Sequence, residues 1–595
     1  MKEYLESGLD PVDITMLTAS ASLDSSSQLP SEAQDSWPTR SNSEDLALVL
    51  FENNEHGTSY FKGDILASCF KKMADRGLIV TVVLDCCFSG SILRTGNVRG
   101  VGIRSVKYNP TVEAATSPEH QDDFGSHDGD YPLRSYTLLN QWLVDPKDYT
   151  ILSACGPHEI AHELELSTGE RRGALSYFLV EALSALRKRG VDINHESIYE
   201  YMRIRFHASW PRQTPMRYGN KNFSFFGGPA IASSRPFAYV YTKNNSLCLD
   251  AGEAHGVHTG DIYKLHPPEW LGDSANQVGD TSVTARVDTV RCLTSDLTNV
   301  EPETTKKEIG TGWHAKLLTS LSQRKISVRL PANVYDRVHQ AKTLEDQSYL
   351  HLCISDDDGE ACMFNVVFND QGHYEILDGL GGTIANLPSI PAGAQGAEQR
   401  LMDTLQHLSK FKYAEGIENR TPDTSFEMLF SLVSYVCDEE PSISSVFDVE
   451  HGGTWQLEIE NKGKTALYFT LFNFTPSWKI KNLLSELGHN GFWVLEPNSK
   501  AVLPLVMKVP ELLQIKGTRC CEDIIKVFIT SKATSFPSMI LPEIPLYRSH
   551  YRGQHDEARD GLLALNTGLT GSPSGHNTGY ERWATQNFII KTRMT

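Results

Sequence analysis

Cys87 follows Asp85 by two residues in the run Asp85-Cys86-Cys87-Phe88-Ser89-Gly90-Ser91. A cysteine attacks as its thiolate, and a free thiol with a pKa of about 8.5 is mostly protonated at neutral pH. Its chemistry therefore needs a base or a cation beside it. The run does not fit a serine-hydrolase elbow, which requires Gly two residues before the serine. Here Cys87 holds that place before Ser89. A phosphate-cradling Cys-x5-Arg loop fails as well, because Leu93 stands where the arginine would be and Arg94 comes one residue too late. A third candidate is a thiol nucleophile at a strand end preceded by an acid, with an inert buried cysteine and a capping Asp85 as the competing readings.

The elements that must position this cysteine are legible around it. The unbroken apolar run Leu78–Leu84 reads as a strand buried on both faces of a parallel sheet, and Ser89-Gly90-Ser91 turns the chain. Reactive groups in α/β sheets are presented at such strand ends. Asp45–Phe51 and Tyr149–Ala154 read as further strands. Phe61–Arg76, Ala174–Arg189 and His195–Phe206 carry apolar residues at helical spacing. This alternation predicts an α/β, three-layer, mostly parallel sheet over residues 1–230.

At Asp85–Ser91 the chain resembles the nucleophile motif of metacaspases, the caspase-like peptidases of fungi, plants and protists. Thr150–Cys155, followed by Glu159 and Glu163, resembles that family's next core strand. Arg172–Phe178 resembles the start of its following helix, Gln213–Gly219 its closing Gln-x-Pro segment, and Val12–Ala19 its second strand. The likeness covers roughly residues 1–228, and Phe88 in place of a commoner His points to the fungal caspase-domain branch, where a β-rich C-terminal half also occurs. The resemblance implies a caspase-like fold, Cys87 as nucleophile, and a substrate pocket to which Asp85, Ser89 and Glu159 contribute. It implies polypeptide substrates cut after Arg or Lys. No cofactor is implied beyond a possible activation by calcium.

The chain departs from this family where the general base should be. No Ser-Gly-His-Gly segment exists, and only Arg40-Ser41-Asn42 separate Trp37-Pro38-Thr39 from Ser43–Phe51. The start reads as truncated and the interior as deleted. The substitute base is His56, in Glu55-His56-Gly57, with an exposed turn histidine as the competing reading. His158 and His162 stand one helical turn apart and read as a surface pair, so no metal site is assigned. The alternative function is a catalytically silent, caspase-fold interaction or regulatory protein.

The remainder of the chain bounds the answer. At 595 residues it exceeds a single core. A formal net charge of −19 argues against a nucleic-acid partner, which needs clustered Lys and Arg. No apolar run is long enough to span a membrane, and the start lacks a secretory pattern. The eleven cysteines include no CxxC spacing, which suggests a reducing, cytoplasmic compartment without structural zinc. Asp122, Asp123, Asp128 and Asp130 lie in a polar stretch that matches no EF-hand spacing. Residues 235–330 read as a small β domain, 331–420 as strands plus a linker helix at Gln399–Phe411, and 425–548 as a β-sandwich. Residues 549–595 are rich in Gly, Asn and Ser and read as a flexible tail. The β domains carry no catalytic constellation and suit protein partners.

Overall fold

The computed structural model describes residues 23–24, 47–51, 58–86, 106–107, 149–156, 159, 161–166, 169–188, 193–210, 213–219 and 223–225 of the N-terminal part. Beyond these it describes 237–243, 246–267, 282–299, 309–322, 325–335, 349–354, 361–384, 386–437, 444–486, 491–515, 517–544, 566–568 and 581–594.

The N-terminal part places β1 (Ala47–Phe51), β2 (Thr58–Lys62), α1 (Gly63–Asp75), β3 (Val80–Leu84) and β4 (Tyr149–Ser153) first. A small hairpin of β5 (Glu163–Glu165) and β6 (Arg171–Gly173) leads into α2 (Ala174–Lys188), α3 (His195–Ser209) and β7 (Met216–Gly219). Every residue of β3 and of β4 is buried. The period of two explains why both faces had to be apolar. Val80, Val82 and Leu84 pack with Leu66, Phe70 and Met73 of α1. Val83 and Leu152 pack with Leu175, Phe178 and Leu179 of α2 and Ile198 and Met202 of α3.

The mostly parallel, three-layer α/β sheet expected from the sequence is not the fold of this chain. Among the described residues strand outweighs helix by 43% to 23%, spread over several separate sheets and a closed barrel. The sheet that α1, α2 and α3 flank has three strands in the order β3-β4-β7. Its first pair is parallel and its second antiparallel. The run read as a neighbouring core strand, β1, pairs antiparallel with β2 in a sheet of its own. The physical reason is that an apolar run states that a strand is buried, not which edge it joins. Two runs close in sequence pair with each other more readily than with a distant strand.

The β-rich part begins with β8 (Ala238–Lys243), β9 (Ser246–Leu249), β10 (Ile262–His266), β11 (Val283–Val290), β12 (Ser295–Asn299) and β13 (Trp313–Thr319), which close into a six-stranded barrel. Closure removes the exposed edges that short strands would leave. Val240, Leu249, Leu265, Val287 and Trp313 fill it. Next come β14 (Ile326–Leu330), β15 (Leu350–Ile354), β16 (Phe364–Phe368), β17 (His373–Asp378) and β18 (Ile390–Pro391), one five-stranded sheet. The helix α4 (Ala397–Glu415) covers it with Leu401, Met402, Leu405 and Leu408, spaced to lie on one face.

Two sheets then form a sandwich. One contains β19 (Phe430–Val436), β21 (Thr454–Asn461) and β25 (Lys500–Val506), with β27 (Asn566–Gly568) at its edge. The other contains β20 (Val446–Glu450), β22 (Leu467–Phe474), β23 (Ile480–Asn482), β24 (Trp493–Leu495), β26 (Cys520–Thr530) and β28 (Trp583–Arg593). Trp455, Leu457, Leu503, Phe469, Val527 and Phe588 interdigitate between them. The expectation of a flexible tail over 549–595 is corrected here. β28 lies inside the second sheet, antiparallel to β26 along its whole length and parallel to β20 on its other side.

Candidate active site at the end of a buried strand

The parallel pairing of β3 and β4 brings their C-terminal ends to one sheet edge, where the Ala154 N–H donates to the Leu84 carbonyl at 2.9 Å. Asp85 leaves β3 at this edge and is fully buried. Its Oδ2 accepts from the Ser176 backbone N–H at 3.1 Å and from the Ser176 hydroxyl at 2.6 Å. Ser176 lies in the first turn of α2, where backbone N–H groups have no partner within the helix. The carboxylate therefore works as a cap donated from another element, placed where the helix dipole favours negative charge. Gly173 permits the approach: a Cβ there would stand 1.9 Å from Asp85 Oδ2.

Cys86 packs into the cluster formed with α1, 2% exposed. Cys87, Ser89 and His56 lie outside the described residues, as do His158 and Asp122, Asp123, Asp128 and Asp130. Nucleophile and base are thus assigned from sequence alone.

Gln213 closes the edge from the other side. Its Nε2 donates to the Ala154 carbonyl at 2.7 Å, and its Oε1 accepts from the His162 N–H at 3.0 Å. The next residue, Thr214, donates to Glu159 through its N–H at 2.7 Å and its hydroxyl at 2.9 Å. Burial pushes the Glu159 carboxyl above its usual range, against the lowering effect of the bonds from Thr214, Gly156 and Tyr468. Glu159 is thus held by the closing segment, and Tyr468 of β22 reaches it from the sandwich.

Asp85 and Glu159 share this edge, yet both carboxylates are occupied by donors of the protein itself. As arranged here, a basic side chain of a substrate reaches Asp85 only where Ser176 gives way. His195 is no substitute base. It bonds Thr81, near the opposite end of β3, at 3.0 Å. Burial, reinforced by Arg217, pushes its imidazole down to about 3. Sequence reasoning misses the donors that occupy the two carboxylates. For Asp85 the signal was the serine at the third helical position of α2, inside the Arg172–Phe178 motif.

Among the described residues no group of three or more His, Cys, Asp or Glu could hold a metal ion, and no helix is long and apolar enough to cross a membrane. No family model and no curated protein matches the chain.

Proposed function

We propose that this chain is a cysteine-type endopeptidase that cuts polypeptides after basic residues, with Cys87 as its nucleophile. The thiolate attacks the peptide carbonyl, an acyl-enzyme forms as the amine leaves, and water releases the acid. His56 is the base in this scheme, and backbone amides hold the oxyanion. The observation that supports the reading is the fixed end of β3. The paired bonds from Ser176 to Asp85 anchor the strand end from which Cys87 follows by two residues. The caspase-like motif supplies the preference for Arg or Lys. Among the described residues no two cysteines form a disulfide, which supports a reducing, cytoplasmic setting.

One observation favours a second reading, a catalytically silent protein that binds partners through its β domains: Asp85 and Glu159 are both engaged by internal donors. An Arg-ended fluorogenic peptide separates the two. Turnover by the full chain that disappears in Cys87→Ala supports the peptidase. Equal turnover in both removes Cys87 from the scheme, and no turnover by a folded wild-type protein supports the binding role.

A further inference from the structure

The barrel, the start of β15, one face of α4 and the segment holding Ser538 and Leu541 line an open cavity of about 420 Å3, within the size range of small-molecule sites. Phe237, Tyr263, Leu317 and Tyr349 give it an apolar wall. Helix α4 contributes Asp403, His407 and Lys410, whose spacings of four and three place them on one face. Lys410, itself partly exposed, has neither a carboxylate partner nor a hydrogen bond among the described residues. A lysine facing apolar surface normally pairs or carries its ammonium into water.

The other charged groups leave its charge unanswered. Asp403 is exposed at the rim and accepts from Gln399 at 2.9 Å. Lys316 adds a second cation. His407 bonds the Trp478 carbonyl at 2.7 Å, and burial holds its imidazole below its ordinary value. His255 bonds Gly252 and Ser535 and is depressed likewise. The phenols of Tyr263 and Tyr349 are raised by burial and stay neutral.

We propose that this cavity binds a small apolar carboxylate, a fatty or aryl acid, whose carboxylate pairs with Lys410 while its hydrocarbon body lies against Phe237, Tyr263, Leu317 and Tyr349. The site is separate from the edge that holds Asp85 and does not depend on the peptidase reading. Burial draws the Lys410 ammonium down to about 8. Deprotonation above that value removes the charge, so carboxylate affinity falls as pH rises from 7 through 9.

Calorimetric titration of the full chain with octanoate and with 1-octanol tests this. Octanoate binds the wild-type protein, and Lys410→Gln weakens it by about tenfold or more, the size of a lost charge-assisted hydrogen bond. Lys410→Arg retains binding within a few-fold, and octanol affinity is the same in wild type and Lys410→Gln. If Lys410→Gln fails to fold, the arginine variant and the pH series decide. Equal octanoate affinity in wild type and Lys410→Gln, octanol binding as tight as octanoate, or no octanoate binding by folded wild-type protein would each overturn the proposal.

Discussion

Arg203 of α3 donates through Nη2 to Asp250 Oδ2 at 2.6 Å, joining the helical flank of the N-terminal sheet to the barrel. The side chains are only 6% and 10% exposed. Arg203 also donates through Nε to Glu200 Oε2 at 2.9 Å. One guanidinium thus answers two nearly buried carboxylates, a use for which its planar fork is suited. The barrel therefore shares a buried ionic contact with the helix that flanks the N-terminal sheet.

Removing one partner of such a pair strands a charge. Arg203→Met leaves both Asp250 and Glu200 without their cation and is expected to lower unfolding free energy by about 3 kcal/mol. Arg203→Met with Asp250→Leu and Glu200→Gln is expected to cost much less, because no charge is left buried. Guanidinium denaturation of the two variants checks this. A triple variant as unstable as the single one would show that packing, not charge, joins the two parts.

Asp85 and Gly173 make a sharper test, because their relation is steric. Gly173→Ala forces a methyl into the space of the Asp85 carboxylate and is expected to cost about 1–3 kcal/mol. Asp85→Ala leaves the Ser176 N–H and hydroxyl without their acceptor, at a cost of similar size. Because the second change opens the space that the first one needs, the double variant should lose less than the sum. Melting curves that add simply would show that the two residues do not meet as described.

Much of the local structure could be read from the sequence. The helix expected over 174–189 spans Ala174–Lys188, and the run around Leu78–Leu84 forms a strand buried throughout. Pairing could not be read, because β1 carries the same apolar signal whether it joins β3 or turns back on β2. The last strand was hidden for another reason. The Gly-, Asn- and Ser-rich residues before it dominate the composition of 549–595, while Phe588, Ile590 and Thr592 alternate inward over a short stretch. At the candidate site, Asp85 and Glu159 were singled out from sequence, but their donors were not. Ser176 lies 91 residues from Asp85 and Thr214 lies 55 from Glu159, so only the fold reveals the bonds.

The terminal strand carries its own prediction. Trp583 is 1% exposed, stacks near Phe528 and donates to Glu253 of the barrel region. Trp583→Ala is expected to cost about 3–5 kcal/mol, as for a large side chain removed from a core. Deleting residues 583–595 takes an interior strand out of the second sheet and exposes both its neighbours, β26 and β20. Limited proteolysis should then cut the sandwich far faster than in the full chain. Unchanged protection would place that strand outside the cooperative fold.

Glu496, in the turn after β24, gives the pH dependence. It is 4% exposed. Burial, with the charge of Glu159 nearby, pushes its carboxyl up to about 8 from an ordinary 4.5. Between those values the unfolded chain loses a proton that the folded one keeps, so the folded state binds more protons and stability falls as pH rises. The loss runs at up to about 1.4 kcal/mol per pH unit from this group, begins above pH 4.5 and levels off beyond about 8. Glu159, also raised by burial, acts in the same direction. Glu496→Gln stays neutral in both states. It is expected to match wild type at pH 4.5, to exceed it in denaturation midpoint at pH 8, and to show a shallower slope between. Parallel wild-type and variant profiles across that range would mean that Glu496 ionises freely in the folded protein.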